Sequence, residues 1–253
     1  MNIKNDIFMK KLRLVALLCC FVLLGISFNS CLDNNGPSIG NWWVGIATLK
    51  PLDEGDFYLQ LDDSTTIKAV NNYIPHFDTD FERRVTLSFN YVDETIAGYT
   101  RAVEIYQMDT VLTKDVVPHL GEQNDEVYGT DPVELVQDWV WCEDGYLNIR
   151  FLAWFSGNPG NKHFMNLVRT ASNEPNVFEF RHNAYNDPRM YKGEGLVAFR
   201  LKDVVETNGD ESVPITIKYI SDSGVTKEVI VSYYPKAGVN KQRSLSGTFE
   251  KVK

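Results

Sequence analysis

The sequence predicts an all-β protein built from two successive β-units. Three observations carry this. Period-two alternation of apolar and polar residues recurs from about Asn41 to Tyr234. Turn formers punctuate it at short intervals. No stretch shows the spacing of a long amphipathic helix.

Ahead of the strands lies a different kind of segment. Residues 1–13 carry Lys4, Lys10, Lys11 and Arg13 against Asp6, and the fifteen apolar residues Leu14–Phe28 follow. Fifteen residues make roughly 22 Å of helix, short of the roughly 30 Å hydrocarbon core of a bilayer. A basic start, a short apolar run and then small polar residues make an export signal over residues 1–30. Ser30-Cys31 resembles the cleavage site of a bacterial lipoprotein, at which Cys31 is acylated and becomes the first residue of the mature chain. Phe28 stands where leucine is usual, and plain cleavage near Ser30 is the alternative. Acylation predicts a membrane partner through the N-terminal lipid and a place in the cell envelope, on the outer membrane. The choice between surface and periplasmic face stays open. Residues 31–40, polar and containing Gly and Pro, form a tether.

Removing residues 1–30 leaves 21 bases against 33 acids, a net charge of −12. Of the four cysteines only Cys31 and Cys142 remain, so an acylated Cys31 leaves no intramolecular disulfide. Stability then rests on core burial, and Cys142, among the bulky residues of WVWCEDG, is expected to be a buried structural thiol.

From Asn41 the strands follow in order. NWWVGIATLK, FYLQL, TTIKAV, RRVTLSFNYV and GYTRAVEIYQM are five strands over residues 41–118. Val85, Leu87, Phe89 and Tyr91 alternate with Arg84, Thr86, Ser88 and Asn90, as a half-buried strand requires. Asp62-Asp63-Ser64 marks a hairpin. Five strands in so short a span fit a small closed barrel of the OB type. Residues 119–130 are rich in turn formers and acids and read as an interdomain linker. Over 131–235 come VELVQDWVWC, YLNIRFLAWF, HFMNLVRTA, NVFEFRH, GLVAFRL, VPITIKYI and KEVIVSYY, with turns at SGNPGN, NAYNDP and SDSG. Seven strands of this kind fit an antiparallel, immunoglobulin-like β-sandwich. Residues 236–253, with five bases and one acid, form a solvated basic tail.

Motifs for chemistry are missing. There is no GxSxG, HExxH, CxxC, P-loop or calcium-loop spacing, and His76, His119, His163 and His182 do not pair at helical or hairpin spacing. No catalytic residue, metal ligand or cofactor is therefore expected. Residues 40–118 hold six bases and thirteen acids, a charge that repels nucleic acid. Neutral glycan, peptide or protein ligands pass this test, with Trp42, Trp43 and Tyr58 as stacking candidates; the opposing reading has at least two of the three plugging the barrel. In RHNAYNDPR, Arg181, His182 and Asn183 are candidates for holding an anion or amide. The opposing reading is a long hairpin whose Asn183 and Asp187 side chains bond back to their own turn. Arg150, Arg169 and Arg200, single within strands, snorkel or pair with acids.

CLDNNG, NWWVGIATL, FYLQLDDSTTI, RRVTLSFNYV, IYQMDTVLTKDV, GTDPVELVQDWVW, YLNIRFLAWF, HFMNLV and FEFRHNAYNDP together resemble the NigD-like proteins of Bacteroidetes-type bacteria. The resemblance spans nearly the whole mature chain. It implies an OB-like N-terminal domain followed by a C-terminal β-sandwich, and it carries over no catalytic residues. It also implies an association with bacteriocin loci. The expectation is a lipid-anchored envelope protein that acts by non-covalent recognition. Its partner site is expected on the barrel, or at the junction where Trp42 or Trp43 would approach the linker acids. Bacteriocin-locus immunity and an envelope-polymer hydrolase are the alternatives.

Overall fold

The computed structural model describes residues 42–61, 65–170, 175–207, 209 and 212–235, and the backbone of 249–252. The signal segment, Cys31, the tether, the Asp62-Asp63-Ser64 turn and residues 236–248 of the expected tail lie outside the described residues.

The first five strands close on themselves. They are β1 (Trp42–Pro51), β2 (Phe57–Leu61), β3 (Thr66–Ala69), β4 (Arg83–Val92) and β5 (Arg101–Thr110). They pair in the order β1-β2-β3-β5-β4, and β4 returns to β1 over Trp43↔Phe89 to Leu49↔Arg83. Closure removes the free edges that an open sheet would expose. Alternation sets the inside: Ala47, Leu49, Leu59, Leu61, Ile67, Val85, Leu87, Phe89, Val103, Ile105 and Met108 form one buried cluster. The β4–β5 ladder slips beside Ser88 and Phe89, where Tyr106 is the extra residue of β5; its side chain is exposed, and its hydroxyl accepts from Asn90 Nδ2 (3.1 Å).

The chain leaves the barrel at Val111. β6 (Leu112–Asp115) already pairs in parallel with a sandwich strand, Tyr191–Arg200. Residues 119–130, expected as a linker, instead hold a 3-10 turn at Gly121–Gln123 and a short helix, α1 (Asn124–Tyr128), which packs on the strands Phe164–Arg169 and Val177–Asn183. Turn formers close these structures as readily as they make a linker, so composition alone does not separate the two.

The seven expected strands are present as β7 (Glu134–Glu143), β8 (Tyr146–Phe155), β9 (Phe164–Arg169), β10 (Val177–Asn183), β11 (Tyr191–Arg200), β12 (Val213–Ile220) and β13 (Thr226–Tyr233). One sheet runs β13-β12-β10-β9 and the other β6-β11-β8-β7. Pairing is antiparallel except at β10–β12 and β11–β6, which are parallel. Asp144 and Gly145, at φ 48° and 79°, make the two-residue β7–β8 turn. SGNPGN and NAYNDP carry the chain from one sheet to the other, so β10 and β11 are not a hairpin. Between the sheets lies a single core that includes Leu147, Ile149, Phe178, Phe180, Phe199, Ile215, Ile217 and Cys142. Cys142 is buried and in no disulfide.

Phe249–Val252, expected in a solvated tail, form β14 and pair antiparallel with Trp42–Gly45 of β1.

Barrel and sandwich meet through buried polar groups. Arg84 points out of the barrel as its alternation predicts, yet it is 0% exposed because the sandwich covers that face. Its Nε donates to Asn148 Oδ1 (3.1 Å) and its Nη1 to Thr48 Oγ1 (2.9 Å), with Tyr146 beneath the guanidinium. A charge taken out of water needs such partners. Around it, Lys50 lies between Glu82 (3.1 Å) and Asp144 (2.9 Å), and Tyr146 donates to Glu82 (2.8 Å). Trp42 and Trp43 take no part in these contacts. Trp43 is five residues from Thr48 along β1, roughly 17 Å at strand rise.

Candidate functional site

The end of β10 gathers most of the polar side chains that the sequence singles out. β10 pairs with β9 up to Asn183↔Phe164 on one side and with β12 up to Phe180↔Tyr219 on the other. Past those limits the segment 129–133 enters between β10 and β12. Asp131 N donates to His182 O (3.0 Å) and Val133 N to Ile220 O (2.9 Å). Gly129 makes this entry possible at φ 81°: a Cβ there would lie 2.4 Å from the His182 carbonyl oxygen.

The opening of the strands leaves a cleft of about 140 Å³, walled by Asp131, Glu179, Arg181, His182, Lys218 and Thr226 among others. Its charges come in both signs. Arg181 binds Asp125 and Glu179 (2.7 Å each) and donates to Gly129 O (3.3 Å). Burial opposes the charge on Arg181, but the bonds to Asp125 and Glu179 outweigh it and raise the guanidinium above its ordinary value.

His182 faces inward. Its Nδ1 meets Pro132 O at 3.1 Å and its Nε2 meets His163 Nδ1 at 2.9 Å; His163 Nε2 in turn meets Asp187 Oδ2 at 3.1 Å. Phe155 stacks on His163 with ring centroids 4.4 Å apart. The His163 and Asp187 side chains are 4% and 2% exposed. Burial, only partly offset by the Pro132 carbonyl, holds His182 below its usual value. Asp187 also accepts from Ser156 N (2.7 Å) and from Asn161. The Ser156 bond, with Asn161 and His163 behind it, keeps this carboxyl well below the carboxylate range.

Asn183 Oδ1 accepts from Tyr185 N (2.9 Å), so it does bond back to its own turn. Asp187 does not: it holds the β8–β9 connection. Among the described residues, no group of three or more His, Cys, Asp or Glu is arranged to bind a metal.

The aromatic candidates are not part of this cleft and do not meet one another. Trp43 packs against the barrel core and meets Tyr91 edge-on at 6.1 Å. Trp42 and Tyr58 are half-buried. Tyr58 lies opposite Lys50, seven residues along β1 from Trp43, and tilts against Tyr99 at 5.5 Å. Neither Trp42 nor Tyr58 joins Trp43 against the barrel core.

Sequence reasoning did not find the His163–His182–Asp187 chain. The two histidines are nineteen positions apart, and the β9–β10 register alone puts them at one end of adjacent strands.

Residues 46–111 match the model of the NigD-like N-terminal OB domain, and residues 115–233 match that of the NigD-like C-terminal beta sandwich domain. No curated protein matches the chain. Among solved structures it is similar to a protein of Parabacteroides distasonis described as toxin-related, at 32% identity and TM-score 0.69, covering 78% of this chain and 95% of the other. It shares its fold with a protein of unknown function from Bacteroides vulgatus, at 22% identity and TM-score 0.63, over 78% and 92% of the two chains. It also shares it with a NigD-like immunity protein from Bacteroides caccae, at 19% identity and TM-score 0.59, over 76% and 97%. With both domain models matched in order and a relative at 32% identity over most of the chain, this protein belongs to the NigD-like family.

Proposed function

We propose that this is a lipid-anchored cell-envelope protein, held to the outer membrane through Cys31, which binds a ligand or protein partner non-covalently and does not turn it over. The cleft beside β10 carries the reading. Its walls offer fixed charges of both signs from Arg181, Glu179, Asp131 and Lys218. The one histidine in the lining has both ring nitrogens engaged, by Pro132 and His163, which leaves neither for acid–base work in the cleft. Such a site recognises a small polar group by complementary charge. The anchor rests on the sequence around Cys31 and on the likeness of fold to a lipoprotein from Bacteroides fragilis, at 11% identity and TM-score 0.55.

Two measurements test this. Wild type and Thr226→Trp, which fills the cleft, are compared on glycan and peptide arrays. Signals held by wild type and lost in the variant support the cleft, whereas turnover of envelope polymers by wild type would overturn the non-enzymatic reading. Intact-mass analysis and protease shaving of cells carrying wild type or Cys31→Ala test the anchor. An unchanged mass and unchanged membrane association in the variant would refute it.

A second reading, protection or an accessory role in a toxin locus, draws on the toxin-related description of the Parabacteroides distasonis relative. Sensitivity of a deletion strain to a toxin encoded nearby would favour it.

A further inference from the structure

We propose that His163, His182 and Asp187 form a proton-operated latch, which holds the Ala184–Asp187 turn and the exposed Tyr185 on it only while one of the two imidazoles carries a second ring proton. This holds whatever the cleft binds.

The argument is a count of protons. Three hydrogen bonds run in series, from Pro132 O through His182 and His163 to Asp187 Oδ2. A carbonyl oxygen and a carboxylate oxygen are both acceptors, so the ends of the series supply no hydrogen. Three bonds therefore need three N–H groups from two rings, and two neutral imidazoles have only two. One ring is an imidazolium. Asp187 is not the missing donor: the bonds from Ser156 N and Asn161 hold it well below the carboxylate range, so it stays an ionised acceptor.

The series also assigns the ring. His182 uses Nδ1–H on Pro132 and accepts at Nε2, while His163 donates from both nitrogens and faces the carboxylate. The depressed value of His182 agrees with its being the neutral member. The groups facing the pair are Asp187 from the turn, Asp131 from the 129–133 segment, Phe155 from β8, and the uncharged Ser156 and Asn161 from the β8–β9 connection. The buried positive charge thus lies against a carboxylate that faces it directly.

What the latch restrains is costly backbone. Tyr185 and Asn186 sit at φ 47° and 61°, a region that a bulky side chain rarely occupies, and Asp187 N closes the turn on Ala184 O (3.0 Å). Ala184 N is held by Asp131 Oδ2 (2.7 Å). The turn presents Tyr185, 57% exposed, edge-on to Phe164, 45% exposed, with centroids 5.3 Å apart. Loss of the third proton sets the lone pair of His163 Nε2 against the carboxylate. A fourth proton on His182 sets N–H against N–H. The latch is closed between these limits and loosens on both sides.

The test reads protons directly. Long-range ¹H–¹⁵N spectra of the purified chain near neutral pH should show His163 protonated on both nitrogens and His182 on Nδ1 alone. Two neutral rings would overturn the proposal. Hydrogen exchange at the Ser156 and Asp187 amides, corrected for intrinsic rate, should be slowest near neutrality and about fivefold or more faster on either side, the effect of one lost hydrogen bond. A flat profile would overturn it. Asp187→Asn puts an amide NH2 where Oδ2 meets both His163 and Ser156 N, so it can donate to His163 while Ser156 N loses its acceptor. Two neutral rings then suffice, and the alkaline limb should vanish at the amide of residue 187. An alkaline limb that survives in a folded variant would also overturn it.

Discussion

Gly129→Ala tests whether the 129–133 segment enters the sandwich as closely as described. Gly129 has φ 81° and ψ 166°, a region essentially reserved for glycine, in which any other residue costs about 1–3 kcal/mol. The new methyl would also lie 2.4 Å from His182 O and 2.6 Å from Asn183 Cα. Both are backbone atoms of a paired strand, so no side chain can swing aside, and such overpacking adds about 1–3 kcal/mol. The sum is about 2–6 kcal/mol, which at about 2–4 °C per kcal/mol for a chain of this size lowers Tm by about 4–24 °C. The control is Gly98→Ala: φ is +89° there, but nothing lies within 4 Å of the added atom. Its penalty is conformational alone, about 1 kcal/mol. The assay is thermal unfolding by circular dichroism for wild type and both variants. If Gly129→Ala melts within about 2 °C of Gly98→Ala, the close approach, and with it the wall of the cleft, is refuted.

Three other outcomes follow from the same structure. Ile217→Ala, fully buried on β12, should cost about 2–5 kcal/mol by urea unfolding, while Ile230→Ala on neighbouring β13, where the side chain is 62% exposed, should stay within about 0.5 kcal/mol; equal costs would misplace the sandwich core. Arg84→Met withdraws the donors from Thr48 Oγ1 and Asn148 Oδ1 and should cost about 1–3 kcal/mol, so an unchanged urea midpoint would show the junction network to be dispensable. His182 and Asp187 are both held below their ordinary values of 6.5 and 3.8, so over those ranges these two groups bind more protons in the unfolded chain than in the folded one. Their stabilisation is present above about pH 6.5 and is lost as pH falls, first through His182 and then, below about pH 4, through Asp187. Urea midpoints should therefore decrease from about pH 5.5 to 4, below the range in which the histidine pair exchanges its third proton, and a rise over that interval would contradict the shifts.

Much of the barrel and the sandwich was legible because strand periodicity is local. Val85, Leu87 and Phe89 alternate with polar neighbours, and that alternation alone turns them inward. Arg84 shows the limit of this logic. Alternation places it on the outer face, and it cannot tell that a second domain covers that face. The tail differs from expectation for a related reason: four residues reading FEKV carry little strand signal, and only the stretch of β1 beyond its β2 ladder, Trp42–Gly45, recruits them. RHNAYNDPR was recognised as a special stretch, yet a hairpin and a sheet-crossing turn have the same composition. The difference lies in which sheet β11 joins, a matter of long-range pairing.

The candidate site divides the same way. Arg181, His182 and Asn183 were readable as polar residues at a strand end beside turn formers. Nothing near them in sequence announces His163, Ser156, Asn161 or Asp131. Those groups come from the β8–β9 connection and the segment before β7, brought in by the β9–β10 ladder and the entry at Gly129. Strand order along the chain and domain succession were determined by the sequence alone, because propensity and period act over neighbours, and the family by the likeness of its segments. The junction at Arg84, the cleft and the proton-requiring histidine pair were decided only by the tertiary structure, because each is a contact between residues that the chain itself keeps far apart.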